Sequence, residues 1–117
     1  MPSDLIGEVG ELFVMYELKR MKKKPVLAFE DGYDIGVDTR KIEVKTIDTR
    51  SKNLSANVTR KQKETADFVI LCLIGEKTHS FYTIPIKEVP SNGYLRPYSG
   101  KEGIKGKYQK HKGIVIS

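Results

Sequence analysis

Residues 33 to 48 read Tyr-Asp-Ile-Gly-Val-Asp-Thr-Arg-Lys-Ile-Glu-Val-Lys-Thr-Ile-Asp, with apolar and polar positions alternating on both sides of a polar break. A period of two is the mark of a half-buried strand, and two such runs around a short break make an antiparallel hairpin. With Asp38-Thr39-Arg40-Lys41 as the turn, Val37 pairs with Ile42, Gly36 with Glu43, Ile35 with Val44, and Asp34 with Lys45. Tyr33, Ile35, Val37, Ile42, Val44 and Thr46 then share one face, and Asp34, Gly36, Glu43 and Lys45 share the other. A slip of one residue would set Val44 beside the acids and bury Glu43, so the apolar pattern selects against it. Thr-Arg is a poor two-residue turn, which favours the looser loop, with Asp38 at its first position. Side chains directly opposite lie ~5 Å apart and diagonal ones ~7 Å, so Asp34 and Glu43 can reach one ion whose oxygen ligands sit ~2.1 Å away. Gly36 leaves the space between them open. Cross-strand Asp/Lys pairs are equally ordinary surface stabilisation, and the hairpin by itself leaves both readings standing.

The flanking sequence supplies the other elements. In "SDLIGEVGELFVMYELKRMKKK" the positions Leu5, Val9, Leu12 and Tyr16 form one helical stripe, expected to face the core. Ser3 or Asp4 caps the start, while Lys19, Arg20, Lys22, Lys23 and Lys24 suit the negative end of the helix dipole and Pro25 stops it. Strands are expected at 26–30, 33–37, 42–48, 68–74 and 80–86, rich in β-branched and aromatic residues, with a short helix in "NVTRKQKETADF" capped by Thr59. Beyond Pro85, Gly93, Pro97, Gly100, Gly103, Gly106 and Gly113 mark loops before a last short strand, "GIVIS". There is no internal repeat, and 117 residues suit a single domain over 1–117.

Charge and cysteine content narrow the function. A formal charge of +6 and a pI near 9.4 favour an anionic partner, nucleic acid first and an anionic membrane surface second. No apolar run approaches the ~20 residues of a membrane span, and the N-terminus lacks the order of a signal peptide, so a soluble, intracellular (cytoplasmic) protein is expected. Cys72 is the single cysteine, which excludes an intrachain disulfide or a multi-cysteine zinc site; within "FVILCLIG" it reads as a core thiol. His79 and His111 have no partner histidine at ligand spacing and are assigned no chemistry.

"GYDI" followed by "IEVKT" resembles the signature of the PD-(D/E)XK nuclease superfamily, which includes archaeal Holliday junction resolvases and many restriction endonucleases. "IGEVGELFVMYELKR" resembles the G-x-x-G-E helix that opens several small members, and "TRKQKETADFVIL" resembles their second helix. The three pieces run in family order over about residues 5 to 74. Two features differ: the Asp34-to-Glu43 gap is shorter than in the junction resolvases, and Tyr33 stands where Pro would precede the Asp.

The resemblance implies an α/β fold with a restriction-endonuclease-like core, a mixed central sheet flanked by helices in the order αβββαβ. It implies Mg²⁺, replaceable by Mn²⁺, on Asp34, Glu43 and the Val44 carbonyl. Lys45 would orient or deprotonate the attacking water, and Glu11 would be a third carboxylate. Glu8 shares the shoulder of the helix with Glu11, and only the G-x-x-G-E match favours Glu11. Gln62 would point to the site from the second helix, with Arg60 and Lys61 near backbone phosphates; a solvated helix face is the competing reading.

The activity implied is a Mg²⁺-dependent endonuclease acting on DNA, structure-selective and Holliday junction resolvase-like. The alternatives are a non-catalytic nucleic-acid-binding module on the same fold, or a restriction-type sequence-specific enzyme. Residues 96–112 carry Arg96, Lys101, Lys105, Lys107, Lys110 and Lys112 against Glu102, with Tyr98 and Tyr108 interleaved. Lys105, Lys107 and Lys110 are expected to contact phosphates, a solvated loop being the alternative. Symmetric incision of two strands implies a homodimer.

Overall fold

The computed structural model describes residues 3–99 and 103–116, and the side chains of all of these except residues 3 and 4. The chain opens with α1 (Ser3–Arg20), followed by β1 (Val26–Leu27), β2 (Ile35–Val37), β3 (Arg40–Asp48), β4 (Ala56–Asn57), α2 (Arg60–Thr65), β5 (Phe68–Ile74), β6 (His79–Pro85), β7 (Tyr94–Leu95) and α3 (Gly106–Gln109). Five strands form one sheet in the order β1-β2-β3-β5-β6, while β4 and β7 pair apart from it as a two-stranded ribbon. All neighbours in the large sheet are antiparallel except β3 and β5, which run parallel across the α2 crossover. The five strands expected from the sequence are the five strands of this mixed α/β sheet. No helix among the described residues is long and apolar enough to cross a membrane.

Alternation along the strands divides the core into two layers. Ile42 and Val44 of β3, Ile70, Cys72 and Ile74 of β5, and Phe81 of β6 pack against Ile6, Val14 and Leu18 of α1. Ile47, Val69, Leu71, Leu73, Tyr82 and Ile84 pack on the opposite face against Val58, Leu95 and Tyr108 from the ribbon and α3. Cys72 is fully buried and burial pushes its thiol up to about 12, which makes it the inert core residue expected.

The hairpin holds the expected faces in a different register. Ile35 pairs with Ile42, Gly36 with Lys41 and Val37 with Arg40, so the connection is the two residues Asp38-Thr39 rather than four. Asp38 makes the tight turn possible with φ of 55°, a left-handed conformation that Asp tolerates better than most residues. A shift of two leaves every side chain on its expected face, which is why the facial reading survived the wrong pairing.

Helix α1 turns a different face inward. Ile6, Gly10, Val14 and Leu18 are buried, whereas Leu5, Leu12 and Tyr16 of the expected stripe are exposed, Tyr16 by 69%. The determinant is Gly10, where an added Cβ would lie 1.9 Å from Thr46 Oγ1. Only a residue without a side chain lets the helix axis come this near the sheet, and that approach fixes which face points down.

The helix stops at Arg20, before the last lysines. Lys22 N–H donates to Lys19 C=O at 3.0 Å and Lys23 N–H to Leu18 C=O at 2.9 Å, a Schellman closure with Lys22 at φ 68°. Near the C-terminus, the strand expected in "GIVIS" reduces to a single bridge between Tyr82 and Gly113 among the described residues.

Candidate functional site

The second face of β3 presents Glu43, Lys45 and Ile47 in succession, and the first two are the charged exceptions in an otherwise apolar layer. Glu43 is 5% exposed, one of two buried polar or charged residues among those described, the other being Thr83. Burying a carboxylate is costly unless something pairs with it. Lys45 Nζ lies 3.6 Å from Glu43 Oε2, beyond hydrogen-bond reach, and Lys45 is itself partly buried. Asp34 is the second carboxylate acting at this point. Burial first, then the Asp34 charge, push Glu43 up to about 8, while Lys45 pulls the other way. Two carboxylates with one cation beside Glu43 form a site short of positive charge.

Local backbone geometry explains how Asp34 reaches this position. Asp34 stands just before β2, where the ladder to β3 ends: its N–H donates to Ile42 C=O at 2.8 Å, and its Oδ2 accepts the Val44 N–H at 2.7 Å. A residue's N–H and C=O point to the same edge of a strand, so the Val44 carbonyl faces the Asp34 side, beyond the last pairing of β2. The observed register thus draws Asp34 to Glu43 instead of pairing it with Lys45. Gly36, expected between the two acids, sits opposite Lys41 instead.

Glu11 belongs to the same cluster. It is half-buried, and burial, then the charge of Asp34, then that of Glu8, raise its carboxyl above the usual range. Glu8 is exposed on the helix flank, whereas Glu11 is half-buried and feels the Asp34 charge. No group of three or more Asp, Glu, His or Cys side chains stands at metal-binding distance among the described residues. What is assembled is a two-carboxylate site with a backbone carbonyl at its edge and Glu11 neighbouring it, beyond metal-binding reach of both acids at once. That donor set is all hard oxygen and fits Mg²⁺ or Mn²⁺, since Mg²⁺ keeps several waters and needs only one or two carboxylates.

The other expected site residues are placed differently. Gln62 caps its own helix: its Oε1 accepts the Thr59 N–H at 2.9 Å, while Thr59 Oγ1 accepts the Gln62 N–H at 3.2 Å. No hydrogen bond joins Gln62 to Asp34, Glu43 or Lys45 among the described residues. Arg60 is exposed and pairs with Glu64 at 3.0 Å, and Lys61 is exposed on the same short helix. Lys110 is exposed and pairs with Glu88 at 3.3 Å, Lys107 lies over the Tyr108 ring at 5.4 Å, and Lys105 precedes α3. Residues 100–102 of the basic segment lie outside the described residues. His111 binds Glu88 at 3.1 Å, and His79 packs tilted against Phe13 and edge-on to Phe81.

Sequence reasoning missed the braces that hold Asp34. Asp67 Oδ2 accepts the Lys41 N–H at 2.8 Å and the Asp67 N–H donates to Lys41 C=O at 2.7 Å, tying the start of β5 to β3. Gly32, with φ of 98°, packs so tightly on α2 that a Cβ there would lie 2.7 Å from Thr65. The Gly in "DGYD" was the available signal for that turn.

No family model matches the chain, and no curated protein sequence matches it. Solved structures share its fold, two of them nucleases. One is a bacterial homing endonuclease, I-Ssp6803I, 19% identical with a TM-score of 0.71 over 95% of this chain and 86% of that one. The other is Archaeoglobus fulgidus Hjc, a Holliday junction resolvase from an archaeal hyperthermophile, 15% identical with a TM-score of 0.54 over 77% of this chain and 83% of that one. At these identities the likeness is one of fold, and the fold is the one implied by the nuclease-like motifs.

Proposed function

We propose that the chain is a metal-dependent endonuclease that hydrolyses DNA phosphodiester bonds. The observation that carries this reading is the buried Glu43 with half-buried Asp34 and Lys45 at its side, on a fold shared with a homing endonuclease and a junction resolvase. Asp34, Glu43 and the Val44 carbonyl would hold Mg²⁺ or Mn²⁺, which supplies charge neutralisation at the phosphate and activates a water. Asp34 is held for this role by the Val44 N–H, so its free oxygen has one orientation. Deprotonated Glu43 gives the second oxygen. The Lys45 ammonium, kept beside Glu43, can hydrogen-bond the attacking water or a phosphate oxygen, and Glu11 can accept a proton at the rim. A pure binding module has no use for two acids where a phosphate must approach, because they repel it.

The test is cleavage of single-stranded, duplex, flap and four-way-junction DNA with Mg²⁺ or Mn²⁺. Asp34→Asn and Glu43→Gln should lose cleavage by ~10³-fold or more, while metal-free DNA binding holds or tightens because negative charge is removed. Lys45→Ala should also lose cleavage yet bind DNA no better than wild type. Parental cutting by both carboxylate variants contradicts the site, and preference for the four-way junction is the outcome that supports resolvase-like selectivity.

A homodimer completes the proposal, since incision of two strands needs two such sites. The exposed Leu5, Leu12 and Tyr16 stripe of α1 gives it an apolar face to use. Sedimentation of a monomer alone at micromolar concentration, free and on DNA, contradicts it.

A further inference from the structure

The β4–β7 ribbon has the features of a groove-reading element. Asn57 pairs with Tyr94 and Ala56 with Leu95. Leu95 is 1% exposed and points into the core, so its neighbours Tyr94 and Arg96 both point outward, beside Asn57. Arg20, Arg50 and Arg60 are each held by a carboxylate, but among the described residues Arg96 is not. Its guanidinium lies 5.1 Å from the Tyr94 ring centroid, which holds the planar fork outward without neutralising it. Asn92, Lys105 and Lys107 join Tyr94 and Arg96 around an open hollow of about 200 Å³.

The ribbon is rigidly mounted. Arg96 N–H donates to Tyr108 Oη at 3.0 Å, Val58 N–H to Gly93 C=O at 2.7 Å, and Lys63 Nζ to Pro90 C=O at 3.2 Å and Ser91 C=O at 3.3 Å. Gly93, at φ 79°, comes so near Val58 that a Cβ would lie 2.2 Å from its carbonyl. The ribbon also shares a sheet face with the carboxylates. Glu43, Lys45 and Ile47 follow one another on that face, and Leu95 packs in the same layer as Ile47. Ile47, against which the ribbon layer packs, stands four residues, ~13 Å, along β3 from Glu43, and a two-stranded ribbon is an element that a major groove admits.

We propose that this ribbon reads duplex DNA sequence: Arg96, backed by Tyr94, contacts a base edge with Asn57 beside it, while Lys105 and Lys107 grip phosphates on the groove rim. The inference rests on the endonuclease reading, since a phosphate over Asp34 and Glu43 is what brings a groove to the ribbon. The guanidinium fork suits the two acceptors of guanine and the Asn amide suits adenine.

The test is selection from a randomised duplex library by the Glu43→Gln protein in EDTA, followed by binding of single-base variants of the selected site. Arg96→Ala and Arg96→Lys should each erase the preference at one base pair, a 5- to 150-fold discrimination. Lys107→Ala should weaken binding to every sequence alike and leave the preference intact. An unselected library, or an Arg96→Lys protein with the parental preference, overturns the proposal. If Arg96-dependent preference is found but the wild type cuts no DNA with Mg²⁺, the ribbon stands and the endonuclease reading falls. If the wild type cuts DNA without sequence preference, the reverse holds.

Discussion

The two faces of β3 are built from the same strand to opposite ends. On one, Ile42 and Val44 are sealed beneath α1, which comes down onto Thr46 at Gly10; on the other, Glu43 and Lys45 hold charge where the neighbouring positions Val69, Leu71 and Ile47 are aliphatic. The first face maximises contact, and any change there is felt as volume. The second keeps a carboxylate at 5% exposure, and a feature costly to the fold and specific in geometry points to a ligand.

The contrast can be broken by substitution, with the largest effect expected from the sealed face. Ile70→Ala deletes a fully buried side chain against α1 and should cost about 2–5 kcal/mol in chemical denaturation. Gly10→Ala on the same face should cost about 1–3 kcal/mol, because its Cβ meets Thr46 Oγ1. Thr46→Ala should recover part of that loss, and additive effects of the two changes would deny the close approach.

The charged face should show the reverse sign. Glu43 is raised to about 8 in the folded protein, against an ordinary value near 4.5 when unfolded. The folded state therefore binds its proton more tightly. That contribution is full below about pH 4.5 and is lost as pH climbs to about 8. Thermal unfolding in EDTA should show the wild type losing stability over this range, and Glu43→Gln should flatten that loss and be the more stable at pH 8. A wild type whose melting is indifferent to pH between 5 and 8 would mean that the acid is not buried as described.

The smallest effect belongs to a charge pair off both faces. Arg60→Ala removes an exposed i,i+4 partner of Glu64 and should change stability by no more than about 0.5 kcal/mol.

The same contrast separates what the sequence made legible from what it hid. Period-two alternation sorted residues 33–46 onto their correct faces, because a face depends only on the parity of the position. The pairing was hidden because a shift of two preserves parity, and the tight turn depends on Asp38 taking positive φ. Helix α1 offered two overlapping stripes, and the buried one contains Gly10, which has no hydrophobicity to score yet decides the approach. The carboxylates were readable as residue types in a nuclease-like order, but the depth of Glu43 depends on β5 pairing in parallel with β3 and bringing Val69 beside it. The ribbon strands have two residues each, too few for any periodicity.

Whether the charged face exists to hold a metal ion is tested most directly by calorimetric titration of Mn²⁺ into the metal-free chain at pH 8, wild type beside Glu43→Gln. One ion per chain in the wild type, with affinity falling as pH drops below about 8 and lost in the variant, is the expected result. Equal binding by Glu43→Gln, or none by the wild type, would contradict it.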